Sequence, residues 1–233
     1  MGIGDNIMAT GMARGAAQRG AAIAFGDGTK IKWDLHSAPI FERNPNVARP
    51  GSEKRKRTNL QWIPFYKGNR LYNTQGEGRW IWNYDFKPMP GEMFFHDSER
   101  KYAQGFTPGF VLIEPNVPRW KSVAPNKQWP VWKFNEVAKA IASQGYQVVQ
   151  FSHQAVGHVI PDAKRIPTPD IRRALAILRR SALYIGAEGG LHHGAAALGV
   201  PAVVLFGGFI PPQVTGYDFH TNLTGGAEAC GTF

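Results

Sequence analysis

The feature that most narrows the possible folds of this chain is the turn Glu188-Gly189-Gly190, set between two short apolar runs. Ala182 to Ile185 before it and Ala202 to Phe206 after it are too short for helices and fit buried strands. Leu191 to Leu198 between them is alanine-rich and helix-prone, with Gly199-Val200-Pro201 as its stop. Two short strands joined through a helix make a parallel crossover, so the chain is predicted to be α/β. At the turn, backbone N–H groups can approach a ligand without a Cβ in the way. A helix N-terminus, carrying roughly half a positive charge, favours a diphosphate or carboxylate there. Glu188 would sit beside such an anion, free to accept hydrogen bonds from sugar hydroxyls. The same residues also suit a plain tight turn with a solvated carboxylate, and spacing alone leaves both readings open.

Three strand signals and two helix signals precede this unit. Phe110 to Ile113 reads as a strand, followed by a proline-broken loop from Glu114 to Pro130 that carries Lys121 and Lys127. Phe134, Val137, Ala138 and Ile141 then share a helical face, Gly145 closes that helix, and Val148 to Phe151 forms the next strand. A short strand is predicted near Arg165 and Ile166. Thr168-Pro169-Asp170 opens a helix with Ile171, Ala174, Leu175 and Leu178 inward, and Arg172, Arg173, Arg179 and Arg180 largely elsewhere. The whole is a doubly wound sheet whose ligand edge lies at the strand C-termini, where Glu114, Lys127 and Glu188 fall.

The first half is less regular. Gly2 and Gly4 precede Asp5, which reads either as a helix N-cap or as a functional carboxylate, and Ile7, Met8, Met12 and Ala16 can share a helical face. Ala21 to Phe25 reads as a strand. The run Glu53 to Arg57 suits a solvated loop, with a phosphate-binding patch as the alternative. Aromatics crowd the stretch from Trp62 through Phe65, Tyr66, Tyr72, Trp80, Trp82 and Tyr84 to Phe95. Trp80-Ile81-Trp82 alternates as β structure does. Aromatics interleaved with arginine can stack nucleic-acid bases, yet no base-reading motif accompanies them, so core is the better reading.

With 233 residues, 43% of them apolar, the chain can bury one large core or two small ones, and the change of pattern divides it into residues 1–108 and 109–233. Its net charge of +10 favours anionic partners: nucleotides, phosphorylated glycans, nucleic acid or an anionic membrane surface. A single cysteine, Cys230, excludes an intramolecular disulfide and a multi-cysteine metal site. No segment has the order of a signal peptide or the roughly 18 apolar residues of a membrane span, so a cytoplasmic protein is expected.

Three separated pieces carry a resemblance. Gly2 to Thr10, Ile113 to Asn116 with Asn126 to Pro130, and Gly186 to Ala196 with Leu205 to Gly207 resemble the heptosyltransferases, glycosyltransferase family nine, in that family's order. Asn44 to Val47 resembles a further family segment. The resemblance implies a GT-B-like fold of two Rossmann-like domains with parallel sheets, the N-terminal one reduced and acceptor-binding, the C-terminal one holding a nucleotide sugar. It implies inverting, metal-independent transfer from a nucleoside-diphosphate sugar, with ADP among the candidate nucleotides, to a glycan hydroxyl, as in lipopolysaccharide biosynthesis.

By the same resemblance Asp5, after Gly4, is the base that deprotonates the acceptor, and Lys127 neutralises the leaving diphosphate. Glu188, Gly189, Gly190 and Leu191 cradle the donor, and His193 matches a family histidine. No metal or cofactor is implied. The acceptor would be an anionic or lipid-linked glycan, reached by peripheral contact with the inner face of the membrane, and no nucleic acid is expected. The chemistry is consistent: the attacking hydroxyl needs a carboxylate, and the departing diphosphate needs positive groups in place of a D-x-D metal pair, to which only Asp97-Ser98-Glu99 comes near. The chain departs from the family with Glu188 for aspartate, Gly189 for a hydroxyl residue, no strand before Gly2, a short first domain and an early end at Phe233. Either a trimmed relative or a sequence incomplete at both ends is therefore expected. Two rival readings remain: a degenerate nucleotide-sugar or glycan binder that performs no transfer and, ranked lower, a nucleic-acid-binding protein.

Overall fold

A computed structural model describes residues 2–54, 59–64, 70–117, 124–153 and 157–232. The second half contains a six-stranded parallel sheet built from β5 (Val111–Glu114), β6 (Val148–Ser152), β7 (Lys164–Pro167), β8 (Leu183–Ala187), β9 (Ala202–Leu205) and β10 (Thr221–Leu223). Its order is β10-β9-β8-β5-β6-β7. Starting from β5, this is the doubly wound arrangement in which the chain returns to the centre between β5 and β8. The crevice at their carboxyl ends is where such sheets bind ligands.

Helices follow from the apolar stripes. In α5 (Val131–Ser143) Phe134 and Ala138 are buried, and in α6 (Ile171–Leu178) the buried set is Ala174, Leu175, Ala176, Ile177 and Leu178. Asp170 caps α6 by accepting the N–H of Arg173 at 2.8 Å. Within α6 one expectation fails: Arg172 is buried. Its guanidinium pairs with the buried Glu99 of α3 (Asp97–Gln104) at 2.6 Å and donates to the carbonyls of Pro39 and Phe94. Burial alone would raise the Glu99 carboxyl, but Arg172 and the N–H of His96 hold it below its ordinary value. The helix α7 (Gly190–Leu198) ends at Gly199 as predicted.

The first half has a smaller parallel sheet. Here β1 (Ala22–Gly26) pairs with β2 (Leu60–Pro64), and β3 (Asn73–Gln75) and β4 (Trp80–Trp82) make an antiparallel hairpin. The long helix α1 (Ile3–Gln18) is buried on more than one face, including Asn6, Ile7, Met8, Ala9, Thr10, Ala13 and Ala16. It is enclosed because it packs against β1 and α2 (Ala38–Phe41) on one side and against α7 of the larger unit on another. Asp5 is not the N-cap. Gly2 is, and Asp5 lies three residues into the turn, its carboxylate accepting the N–H of Gly2 at 2.9 Å.

A strap joins the two halves. Trp80 of the hairpin donates its N–H to the carbonyl of Gly231 at 2.9 Å, while Cys230 and Gly231 donate theirs to Gly208 and Phe209 beyond β9. The main chain of Thr232 also accepts from Asn126 Nδ2, beside Lys127, at 2.9 Å. Lys121, Phe65, Tyr66 and the part of the charge run from Arg55 to Arg57 lie outside the described residues. No helix among the described residues is long and apolar enough to cross a membrane.

Candidate active site

Two helices present their N-termini to one cavity of about 380 Å³. The walls are supplied by α1 through Gly2, Gly4 and Asp5, by α7 and the turn before it through Glu188, Gly189, Gly190 and His193, and by Lys127 of the short α4 (Ala124–Lys127). Sequence reasoning had placed all of these in a site except Gly2. Leu191, expected in the donor cradle, does not line this cavity; it borders a neighbouring cleft with Ile3, Phe151 and Thr168. The reason is helical geometry, since one residue along the first turn rotates the side chain by roughly 100°.

The helices can approach because Gly4 lacks a side chain. A Cβ there would lie 2.8 Å from His193 Cδ2 and 3.4 Å from the Gly190 nitrogen. Gly207 plays the corresponding part for the lysine: a Cβ there would fall 2.2 Å from the carbonyl oxygen of Asn126, so only glycine lets the Lys127 turn rest on the end of β9.

Each carboxylate in the cavity has its own cation. Glu188 Oε2 pairs with Lys127 Nζ, Oε1 lies 3.5 Å from His193 Nε2, and the Glu188 side chain is 7% exposed. Burial would push the Glu188 carboxyl up, but the Lys127 ammonium, aided by His193, overrides it and holds the group well below the usual carboxylate range. Lys127 Nζ also lies 4.9 Å from the ring centre of Phe209. Across the cavity Asp5 Oδ2 accepts from Arg70 Nε at 3.1 Å, and Oδ1 accepts from the Tyr72 hydroxyl. Arg70 is stacked over Trp80 at 5.3 Å. Burial, then the Asp5 charge, pushes the Tyr72 phenol well above its ordinary value, so it remains a donor at neutral pH.

Arg70, Tyr72, Asn73, Trp80, Phe209 and Ile210 complete the lining, and none was singled out for the site from sequence. The signal available was the mixture of aromatics with arginine, which reads as core. With the two carboxylates neutralised, the uncapped N–H groups at the start of α7 and the positive helix ends leave the cavity suited to an anion.

Behind the turn, His192 and Tyr217 are buried against one another. His193 Nδ1 lies 3.0 Å from the Tyr217 hydroxyl. Glu188, His192 and His193 each offer a ligand atom, all within 4.8 Å of one another, so this group could hold a metal ion. Burial holds His192 neutral, well below its ordinary pKa. Further off, at the end of β5, Glu114 is buried, and this pushes its carboxyl up to about 7 despite hydrogen bonds from Asn116.

Comparison with solved structures shows the same fold. A glycosyl transferase family 9 protein from Veillonella parvula DSM 2008 superposes over 96% of this chain and 83% of its own, with a TM-score of 0.62 and 13% identity. ADP-heptose lps heptosyltransferase II of E. coli matches 62% of this chain at 21% identity and a TM-score of 0.45; the chain spans half of that protein's length. No curated protein matches. The family model for glycosyltransferase family 9 (heptosyltransferase) matches residues 77–230, which include Lys127 and the Glu188 turn but not Asp5, Arg70 or Tyr72. With the GT-B architecture and its reduced first sheet already described, this match identifies the chain as a member of glycosyltransferase family 9, a family of sugar-transferring enzymes.

Proposed function

We propose that this enzyme transfers a sugar from a nucleoside-diphosphate donor to a glycan hydroxyl, inverting the anomeric centre, with no metal ion in the bond-making step. The observation that carries the reading is the convergence, in one cavity, of Asp5 from the first half with Lys127, Glu188 and the α7 N-terminus from the second. The acceptor oxygen attacks the anomeric carbon while the bond from that carbon to the diphosphate oxygen breaks. The proton of the attacking hydroxyl passes to Asp5, whose Oδ1 has a lone pair beyond the one used by Tyr72. The electron pair leaves with the diphosphate, which Lys127 and the α7 N–H groups stabilise. Glu188, released from Lys127, then accepts from donor hydroxyls.

The proposed acceptor is an anionic or lipid-linked glycan, met by peripheral contact at the inner, cytoplasmic face of an anionic membrane, which the net charge of +10 favours. Titration of the purified chain with ADP, UDP and GDP, with and without magnesium, tests the donor half of the reading. Micromolar binding of one nucleotide that ignores magnesium and disappears in Glu188→Ala is expected, and no binding by any of the three would refute it. Binding without transfer to any glycan would favour the degenerate binder.

A metal-assisted reading rests on the Glu188, His192 and His193 group. Turnover that survives exhaustive chelation selects the lysine mechanism. Turnover lost to a chelator and restored by a divalent cation selects the metal.

A further inference from the structure

Glu188 faces a difficulty in the proposed reaction. It is a carboxylate buried from water, neutralised by Lys127, and Lys127 is the group that must turn to the diphosphate. A buried carboxylate that loses its cation without another donor is strongly destabilised. Among the described residues the other polar group beside it is His193 Nε2, 3.5 Å from Oε1, and it helps only if that nitrogen carries a hydrogen aimed at the carboxylate.

The other edge of the ring offers a group that can set this. His193 Nδ1 lies 3.0 Å from the Tyr217 hydroxyl, and both residues are buried. Burial, reinforced by the Glu188 charge, pushes the Tyr217 phenol above its ordinary value, so it keeps its proton at neutral pH. A phenol that donates to Nδ1 leaves the hydrogen of a neutral imidazole on Nε2. The ring is closely packed: His192 lies against it, centroids 4.7 Å apart and planes tilted by 32°, and a Cβ at Gly4 would fall 2.8 Å from its Cδ2. Tyr217 is itself fixed, its carbonyl accepting from the His220 N–H and from Asn222 Nδ2, each at 3.0 Å. It does not line the cavity and so touches no substrate.

We propose that Tyr217 is a positioning residue for the transfer reaction, holding His193 as the Nε2–H tautomer so that Glu188 keeps a donor while Lys127 serves the diphosphate. The inference rests on the glycosyl-transfer reading for its purpose, but the tautomer itself is a property of the free protein.

Nitrogen NMR of the histidine-labelled full chain at neutral pH tests it without substrate, the His193 signals being assigned by their loss in His193→Gln. A protonated Nε2 and an unprotonated Nδ1 are expected. Tyr217→Phe, which keeps the packed ring and removes only the hydroxyl, is expected to shift His193 towards a mixture of tautomers. An Nδ1–H tautomer in the wild type, or a pattern unchanged in Tyr217→Phe, would overturn the proposal. In calorimetry with whichever of ADP, UDP or GDP binds, Tyr217→Phe should weaken affinity about tenfold. The same change made in His193→Gln, whose amide donates without help from a phenol, should cost nothing further. An equal loss in both backgrounds would make the hydroxyl merely structural and sink the idea. Should no nucleotide bind at all, the transfer reading fails, and the NMR result still decides the tautomer.

Discussion

Asp5 and Lys127 divide the proposed chemistry between a proton and a phosphate, so their variants should separate in measurement. Asp5→Asn keeps the shape and still accepts from Gly2, but cannot take a proton. Turnover should fall by roughly 10²–10⁴, the usual span for a general base, with nucleotide affinity retained. Lys127→Ala should instead weaken nucleotide binding about tenfold or more, and an unchanged affinity in a calorimetric titration would remove the lysine from the site. Of the cavity lining, the turn was legible at this scale because its spacing is local: Glu188, Gly189, Gly190 and His193 fall within six consecutive positions. Arg70 and Tyr72 were not, since they meet Asp5 across some 65 residues of chain, and no local pattern encodes a contact at that separation.

Among the elements, α6 shows what a periodic pattern can and cannot say. The stripe of Ala174, Leu175 and Leu178 was read correctly as inward. Arg172 was placed with the other arginines because charge usually means solvent, and it is buried because Glu99 and two carbonyls from other segments meet it. Removing one partner leaves the other charged and unpaired, so Arg172→Met should lower unfolding free energy by roughly 3–5 kcal/mol, measured by urea denaturation. The double variant Arg172→Met with Glu99→Leu should recover much of that loss. For α1 the pattern expected one buried face, whereas the helix lies between two packed layers. A small-residue helix with little amphipathic contrast suits that position, since alanine and glycine allow close approach all round. The strands β5, β8 and β9 were legible because a parallel strand covered on both faces is a short, nearly unbroken apolar run, and β6 was legible despite Gln150, whose buried amide bonds to the main chain of His158 and Ile160.

At the scale of the molecule, its buried carboxylates act on stability in opposite directions. Glu188 and Glu99 are held below their ordinary values, so their contribution is present above the unfolded glutamate range and is lost as pH falls through the folded values. Glu114 has the opposite sign. Raised to about 7, it favours the folded state while protonated, and stability falls as pH rises from the unfolded glutamate value through 7, by roughly 3 kcal/mol in all. The chain should therefore be most stable on the acid side of neutrality. Chemical denaturation across pH 5 to about 8 measures this, and Glu114→Gln should flatten the alkaline limb; an optimum above 7 in the wild type would contradict the assignment.

The strap has a mechanical meaning. Enzymes whose site lies between two lobes often admit substrate by swinging about a single linker. Here Trp80 and Arg79 of the first half's hairpin are bridged through main chain to Gly231 and Thr232, and these in turn bond to the loop after β9 and to the Lys127 turn, so the lobes are tied at the hairpin. A wide swing would have to break main-chain bonds first. Substrate should enter a gap already formed, with movement confined to side chains such as Lys127, and the small-angle scattering profile should change little when nucleotide is added.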